Sequence, residues 1–567
     1  ICGKCRIRVI SGKADPAEEC KKFFTENEIA QGWRLACRVK IYDSLEVEIP
    51  EETLFSNELL ILTQDDKALA IDLDPLVKKK FFSLMPPSLE NQKADFQSLR
   101  EDLQIQNASI EILKKLPAFL RNNSFKGTAA ICADRIICLE KGNTESANFA
   151  IGVDLGTTSI VVSLIDVTTG KTIDSKGALN PQVKYGDDLL TRISAERQDP
   201  KNIEKLRVCA MQACNELIGK LCTENNVSPA SIYSCAIAGN TAMECFFCGI
   251  NAENLGEIPF VPPFKNSLSF EAAELGLAIN PSAEAYLFPL IGGFVGGDIV
   301  SGISACRLDE KEKPTLFIDI GTNGEIVVAH KGSLYSASAA AGPAFEGARI
   351  EAGMRASPGA IEKILINEEG VHINVIGNIK PVGICGSAII DACAELLKAG
   401  ILDQSGRILA PDEISDLPDA LRRRLFSVDE GDSWDFLLYE SGKKRIFIRQ
   451  KDIREIQLAT GAIRAATNIL LNRTGIPHDK LDAVLVAGGF GNFIRRNNAI
   501  RIGLLPKIPD HKIRYVGNTS SEGAKEVLLS NTRREKAEEL AEKTNYVEIS
   551  LDPDFQTLFA ESMLFPT

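Results

Sequence analysis

Two periodicities alternate along the chain. Within residues 77–148, apolar positions recur with helical spacing in "ADFQSLREDL" and "SIEILKKLPAFLRN", whereas "GTAAICADRIICLEKG" reads as two strands joined by a turn. From Phe149 onward, strands repeatedly precede helices. "LRVCAMQACNELIGKLC" and "AIIDACAELLKAGI" are amphipathic, while "DAVLVAGG" and "IRYVG" are short buried strands. This alternation predicts an α/β class with sheets covered by helices. Ahead of it, residues 77–148 form a small α/β middle domain. Residues 51–76 mix charged and apolar positions as a linker does, and residues 1–50 carry the strand-like "RIRVI" and "LEVEIP".

One strand–turn–strand pattern is written twice. "IGVDLGTTSIVV" (151–162) is echoed by "FIDIGTNGEIVV" (317–328). The separation is far too large for a solenoid repeat. It fits a duplicated domain over 149–567, with halves of about 149–313 and 314–567, each opening on a hairpin.

The chemistry of the two turns is alike. A strand ends at Asp154 or Asp319, and Gly156 or Gly321 follows where the chain bends, so backbone N–H groups can approach an anion. Thr157, Thr158, Ser159, Thr322 and Asn323 add side-chain donors. A carboxylate beside a phosphate is repelled unless a cation lies between, and Mg²⁺ held through one or two carboxylates meets that need. A single copy is read more simply as a glycine turn; two matched copies favour a pair of phosphate loops. A third segment, "VLVAGGFGNF" (484–493), runs a buried strand into Gly488 and Gly489, whose bare backbone leaves room for a base and ribose. No GxxxxGK[ST] run is present and no GxGxxG follows a strand, which removes the P-loop and Rossmann alternatives.

Composition narrows the class. Of the 567 residues 44% are hydrophobic and 25% charged, the balance of a water-soluble protein with real cores, and the length suits roughly three to four domains. The net charge of −13 argues against nucleic acid or an anionic membrane as partner. No apolar run approaches the roughly 18 residues of a membrane span, so a cytoplasmic protein is expected. The four histidines, His330, His372, His478 and His511, are scattered, against a His-based zinc site or a Ser-His-Asp triad. Most of the 15 cysteines stand singly in apolar surroundings and read as buried thiols; Cys245 and Cys248, a CxxC without a second pair, read as core.

Together these stretches resemble the superfamily of actin, hexokinase, acetate kinase and the large heat-shock chaperone, whose fold is two ribonuclease-H-like halves closing over ATP. More narrowly, "NPQVKYGDDLLTRI" (180–193), "AGNTAMECFF" (238–247), "IPFVPPF" (258–264), "PLIGGFVGGDIVSGI" (289–303), "SAAAGPAFEGARIEAGMRASPGAI" (338–361), "VGICGSAIIDACAELLKAGIL" (382–402) and "FGNFIRRNNAIRIGLLP" (490–506) are similar to the ATP-dependent reductive activators of corrinoid proteins. The similarity runs over essentially the whole chain. It implies that Asp154 and Asp319 position Mg²⁺, that Gly156, Thr157, Thr158, Gly321, Thr322 and Asn323 cradle phosphates, and that Gly488 and Gly489 border the adenosine, with Gly342 and Gly386 completing its pocket. Glu346 and Asp298 are the carboxylates placed to orient an attacking water, although a structural role suits either equally well.

The front of the chain carries Cys2 and Cys5, with Cys37 in "WRLACRVK". A Cx2C pair and a distant lone cysteine match the last three ligands of a plant-type [2Fe-2S] ferredoxin; half a zinc site, or two buried thiols, is the simpler alternative. In the resembling family the run is CGxxGxCGKCRV, so a fourth ligand is expected upstream of residue 1. The chain opens at Ile1 inside the motif, which reads as a truncated ferredoxin-like β-grasp domain. Cys20 falls at no ligand position.

An electron carrier joined to an ATP clamp suggests that nucleotide free energy drives an uphill electron transfer. For one electron, ~59 mV is a tenfold change in equilibrium, and a plant-type cluster near roughly −400 mV is a poor donor to an acceptor several tenths of a volt lower. The resemblance implies that acceptor: Co(II) of a corrinoid/iron–sulfur protein or of a methyltransferase corrinoid subunit, reduced to Co(I), with a low-potential donor upstream and a homodimer as assembly. The alternatives are a small-molecule kinase of the acetate or sugar type and a nucleotide-switched scaffold with a vestigial iron–sulfur module.

Overall fold

The computed structural model describes residues 6–17, 20–21, 23–40, 44–48, 71–428, 433–488 and 494–566. They belong to two compact units: Ile1–Ala68, Ile350–Asp403 and Arg407–Ile453 form one, and Leu69–Arg349, Gln404–Gly406 and Arg454–Thr567 the other.

In the first unit, β1 (Arg6–Ser11) lies between β2 (Trp33–Leu35) and β3 (Glu46–Glu48), antiparallel to both. Helix α1 (Glu26–Ala30) starts at a capping box, with Glu28 N–H donating to the Thr25 hydroxyl while the Thr25 N–H donates to the Glu28 carboxylate. Cys20 is buried with Phe24 and Leu35 under this sheet, a packing role rather than a ligand position.

In the second unit, β4 (Val77–Ser83), β5 (Asn107–Ala108), β6 (Lys126–Cys132) and β7 (Arg135–Glu140) make a four-stranded sheet of order β4-β6-β7-β5. Helices α2 (Asp95–Leu103) and α3 (Ile110–Asn122) bury Leu99, Leu103, Ile112, Leu116 and Leu120 against it, the spacing that the sequence displays.

The duplication extends well beyond the two hairpins. β8 (Phe149–Leu155), β9 (Ser159–Asp166) and β10 (Lys171–Leu179) form an antiparallel meander; helices α4 (Leu189–Gln198) and α5 (Asn202–Glu224) follow, then β11 (Ile232–Gly239), parallel to β8. After α6 (Thr241–Cys248), β12 (Leu268–Glu271) and β13 (Glu284–Leu287) complete the order β10-β9-β8-β11-β13-β12. Helix α7 (Gly297–Ala305) leaves β13. The second copy repeats this logic. β14 (Thr315–Ile320), β15 (Gly324–His330) and β16 (Ser333–Ala339) form the meander.

The chain then returns to the first unit for two small sheets: β17 (Ala360–Asn367), β18 (Gly370–Val375) and β19 (Gly383–Ile384), with α8 (Gly386–Lys398); and β20 (Leu425–Val428), β21 (Ser433–Ser441) and β22 (Lys444–Ile448). Helix α9 (Gln450–Thr474) leads back to the second unit, where β23 (Ala483–Ala487) lies parallel to β14 and β24 (Ile513–Gly517) parallel to β23. Helix α10 (Arg496–Arg501) joins these strands, α11 (Thr519–Leu529) follows, and β25 (Asn545–Tyr546) closes the order β24-β23-β14-β15-β16-β25. Counted from its meander, each six-stranded sheet therefore shares the order 3-2-1-4, and the two differ in where the remaining strands attach.

A single core joins the two sheets. Ala150, Ala236 and Phe288 of the first, Phe317 and Val327 of the second, Ile299 and Ile303 of α7, and Ala524 and Val527 of α11 belong to it. Cys245 of α6 is fully buried and Cys248 packs partly buried against the first sheet's own core, as expected of a structural CxxC. Between α7 and α11 the backbones come very close: a Cβ on Gly523 would stand 2.5 Å from the Ser301 carbonyl oxygen and 2.7 Å from its Cα. Alanine would ordinarily help a helix interior by about 1 kcal/mol, but here only a backbone shift makes room. Gly523→Ala is expected to cost about 1–3 kcal/mol, read by denaturant titration.

Candidate nucleotide site

Asp154 and Asp319 are the penultimate residues of β8 and β14, the central meander strands of their sheets. Leu155 pairs with Ile160, so the first turn spans residues 156–159; Ile320 pairs with Gly324, so the second spans only 321–323. A Cβ on Gly156 would stand 2.7 Å from the Ser159 carbonyl oxygen, which is why glycine closes the wider turn. The unequal turns place Val161 opposite Asp154 but Glu325 opposite Asp319.

The two loops meet. Thr158 Oγ1 and Thr322 Oγ1 are 2.8 Å apart, and the Thr322 hydroxyl donates to Glu346 Oε1 at 2.8 Å. Glu346 ends the turn Pro343–Glu346 that follows Gly342 (φ +73°), and its Oε2 is buried with no hydrogen-bond partner. Gly488 (φ +95°) closes the group: a Cβ there would stand 2.5 Å from the Ile320 carbonyl oxygen and 2.8 Å from Asp319 Oδ1. The glycine segment at the end of β23 thus lies directly on the second loop. Gly489 falls outside the described residues, and Gly386 begins α8 in the other compact unit.

Side chains from remote segments hold the first loop. Arg192 of α4, fully buried, donates from Nη2 to the Thr157 carbonyl at 2.7 Å and from Nε to the Gly186 carbonyl at 2.9 Å. Asn180 Nδ2 donates to the Gly156 carbonyl at 2.9 Å, and Asn240 Nδ2 to Thr157 Oγ1 at 3.0 Å. Asn518, at the start of α11, donates to Asp154 Oδ2 at 2.7 Å. Thr157 is consequently a wall of the loop, its hydroxyl already engaged, whereas Thr158 reaches across the cleft.

Comparison with known proteins adds a family to this geometry. Residues 313–567 match the C-terminal domain of RACo, the ASKHA domain; residues 149–311 match the RACo middle region, and residues 66–146 the RACo linker region. The chain belongs to the RACo family. It is 32% identical over 542 residues to the corrinoid activation enzyme RamQ of Eubacterium limosum, covering 94% of this chain and 89% of the relative. It is 26% identical over 430 residues to the Co(II) methylated amine-specific corrinoid protein reductase of Methanosarcina barkeri, covering 70% and 72%. A solved reductive activator for corrinoid,iron-sulfur protein superposes with a TM-score of 0.79 at 35% identity, covering all of this chain and 92% of that one. Among the described residues no helix is long and apolar enough to cross a membrane.

The floor of this RACo-family cleft gathers more carboxyl groups than the sequence pattern reveals. Asp298, at the start of α7, is pushed up to about 8, first by loss of water and then by Asp319 and Asp154. Asp319 is pushed up to about 7 by the same loss of water and by Asp154. Burial likewise raises Asp154, against the stabilising Asn518 amide. Glu325 lies well above the carboxylate range through burial, Asp298 and Asp319. These carboxyls keep some accessible surface, yet protein surrounds them on most sides, so water relieves little of the repulsion. Among the described residues no three such groups converge tightly enough to hold a metal alone. The donor set suits a hard cation that takes one or two carboxylates and completes its shell with phosphate and water.

A stability prediction follows. A carboxyl whose folded value lies above its unfolded one supports the fold while protonated; that contribution is complete below about pH 4 and lost as pH climbs past the folded values. Without added nucleotide or Mg²⁺, Tm is expected to fall as pH rises through about 7 and 8, the values of Asp319 and Asp298, and Mg-ADP to flatten the decline. Differential scanning calorimetry at stepped pH checks this.

The iron–sulfur candidates divide. Cys2 and Cys5 lie outside the described residues, while the backbone of Cys37 sits in the short turn Ala36–Arg38 directly after β2.

Proposed function

We propose that this chain is an ATP-hydrolysing reductive activator that returns Co(II) of a corrinoid protein to Co(I). The observation that carries this reading is the pair of facing Asp-Gly-Thr turns, joined through Thr158 and Thr322, in a chain whose named relatives over most of its length activate corrinoid proteins.

In this reading Asp154 and Asp319 position Mg²⁺, whose bound form would offset their mutual repulsion. Gly156, Thr158, Ser159, Gly321, Thr322 and Asn323 present donors to the phosphates, with Thr157 fixing the loop. Gly488 and Gly489 border the adenosine, with Gly342 and Gly386 as further candidates. Glu346 and Asp298 are the candidates for orienting the attacking water; the unpartnered Glu346 Oε2 favours Glu346. A [2Fe-2S] cluster, when bound, supplies a one-electron carrier, with Cys2, Cys5 and Cys37 as its candidate ligands. We assign residues 1–50 to that module, 51–76 to a linker, 77–148 to a middle domain and 149–567 to the ATPase, in a cytoplasmic protein that forms a homodimer and draws on a low-potential donor. ATP couples to electron transfer only if the nucleotide-closed and open arrangements differ in affinity for the two cobalt states.

The test is an anaerobic absorbance titration of a Co(II)-corrinoid protein with a low-potential reductant, in the presence of ATP, of ADP or of a non-hydrolysable analogue. Co(I) is expected to accumulate only with ATP. Equal rates and yields in all three arms would sink the coupling, and phosphorylation of an added acid or sugar would favour a kinase.

A further inference from the structure

A second cleft lies in the same compact unit. Its volume is about 720 Å³, and its lining includes Arg464 of α9, His478 in the connection before β23, Arg501 at the end of α10, and Lys507. Its lining shares no residue with the two nucleotide loops, Glu346 or Gly488.

In a chain of net charge −13, cations normally sit beside carboxylates. Here the lining contains no Asp or Glu. Arg464 donates to the Leu564 carbonyl at 3.0 Å and Arg501 to Asn498 Oδ1 at 3.2 Å; among the described residues neither these guanidinium groups nor Lys507 forms an ion pair. Burial lowers the basicity of Arg464, and burial followed by Arg464 itself lowers that of His478, so an anion here would relieve an existing accumulation of positive charge. Asp479 is the opposing charge beside His478. The position of Arg464 is built in: a Cβ on Gly503 (φ +79°) would stand 3.1 Å from Pro566 Cγ and 3.3 Å from Arg464 Nη1. The other wall is apolar, with Leu505 and Pro566 among its residues. Guanidinium forks match phosphate oxygens, and the volume is that of a small-molecule site.

We propose that this cleft binds a small phosphate ester, its phosphate held by Arg464, Arg501 and Lys507 and its apolar body laid against the wall formed in part by Leu505 and Pro566.

The test uses the full chain with the nucleotide site saturated by Mg-ADP, titrated calorimetrically with phenyl phosphate and with inorganic phosphate, beside the R501Q/K507Q variant. Phenyl phosphate is expected to bind at least tenfold more tightly than inorganic phosphate. The variant should weaken both about tenfold or more while leaving Mg-ADP affinity unchanged. Crystals soaked in tungstate should show an anomalous peak beside Arg464 and Arg501. Indistinguishable affinities of wild type and variant, or tungstate confined to the nucleotide site, would overturn the proposal; equal affinity for the two probes would overturn the ester assignment.

Discussion

Asp319→Asn is expected to reduce ATP hydrolysis and ATP-dependent Co(I) formation by about 100-fold or more, while raising the thermal stability of the protein measured without nucleotide. The two effects share one cause. Asp319 stands opposite Glu325 across the hairpin and close to Asp154 and Asp298, all in surroundings that resist charge. An amide of the same shape removes one negative charge and the repulsion it creates, which stabilises the fold. It also removes the ligand proposed to draw Mg²⁺ between the loops, and losing one preorganised electrostatic group at a phosphoryl-transfer site costs on the order of 10²–10³ in rate. Activity is read by phosphate release and by cobalt absorbance, stability by calorimetry. A variant that loses activity and stability together would show that Asp319 is a structural carboxylate.

Arg192→Met should act in the opposite sense on stability. Its guanidinium is fully buried, pushed down to about 10 chiefly by burial yet still charged at neutral pH, and it closes the Thr157 and Gly186 carbonyls. Methionine fills much of the volume but takes the Arg192 donor from the buried Thr157 carbonyl and from the half-buried Gly186 carbonyl. At about 1–3 kcal/mol for each unsatisfied group, a loss of roughly 2–5 kcal/mol is expected in urea denaturation. The remaining folded protein should show a raised KM for ATP, because the first turn is no longer pinned beneath the nucleotide. An unchanged KM would mean that the hydrogen bonds of Asn180 and Asn240 to this loop suffice.

The repeated "DLGTT" and "DIGTN" turns were legible because the chemistry of a phosphate loop is local: a carboxylate, a glycine and hydroxyls within six residues. The paired sheets followed from the same echo, since each meander starts at it. What the linear pattern hides is register. The second turn is shorter by one residue in the ladder, and only this places Glu325, rather than an aliphatic residue, across from its aspartate. Long-range supports are equally invisible. Asn180, Arg192 and Asn240 all lie in stretches whose resemblance to the corrinoid activators was apparent, "NPQVKYGDDLLTRI" and "AGNTAMECFF", but nothing in those stretches says that they point back at residues 156–157. Asn518, 364 residues from the Asp154 it bonds, carried no signal at all beyond its place as a helix N-cap. Glu346 is the converse: a carboxylate singled out among glycines, which the geometry brings to Thr322.

The seam between α7 and α11 limits how the two sheets can move. Arg307, just past the end of α7, meets Glu526 of α11 with Nη2 2.6 Å from Oε1, both side chains less than a tenth exposed, and Ser304 donates to the same carboxylate at 2.8 Å. Pulling the helices apart would strand a charge in apolar surroundings, a cost of several kcal/mol, and a large turn about the Ser301–Gly523 crossing would break the same pair, which lies about 9 Å from it. The seam therefore works as a rivet, and α7 and α11 are expected to travel as one block when the cleft opens and shuts.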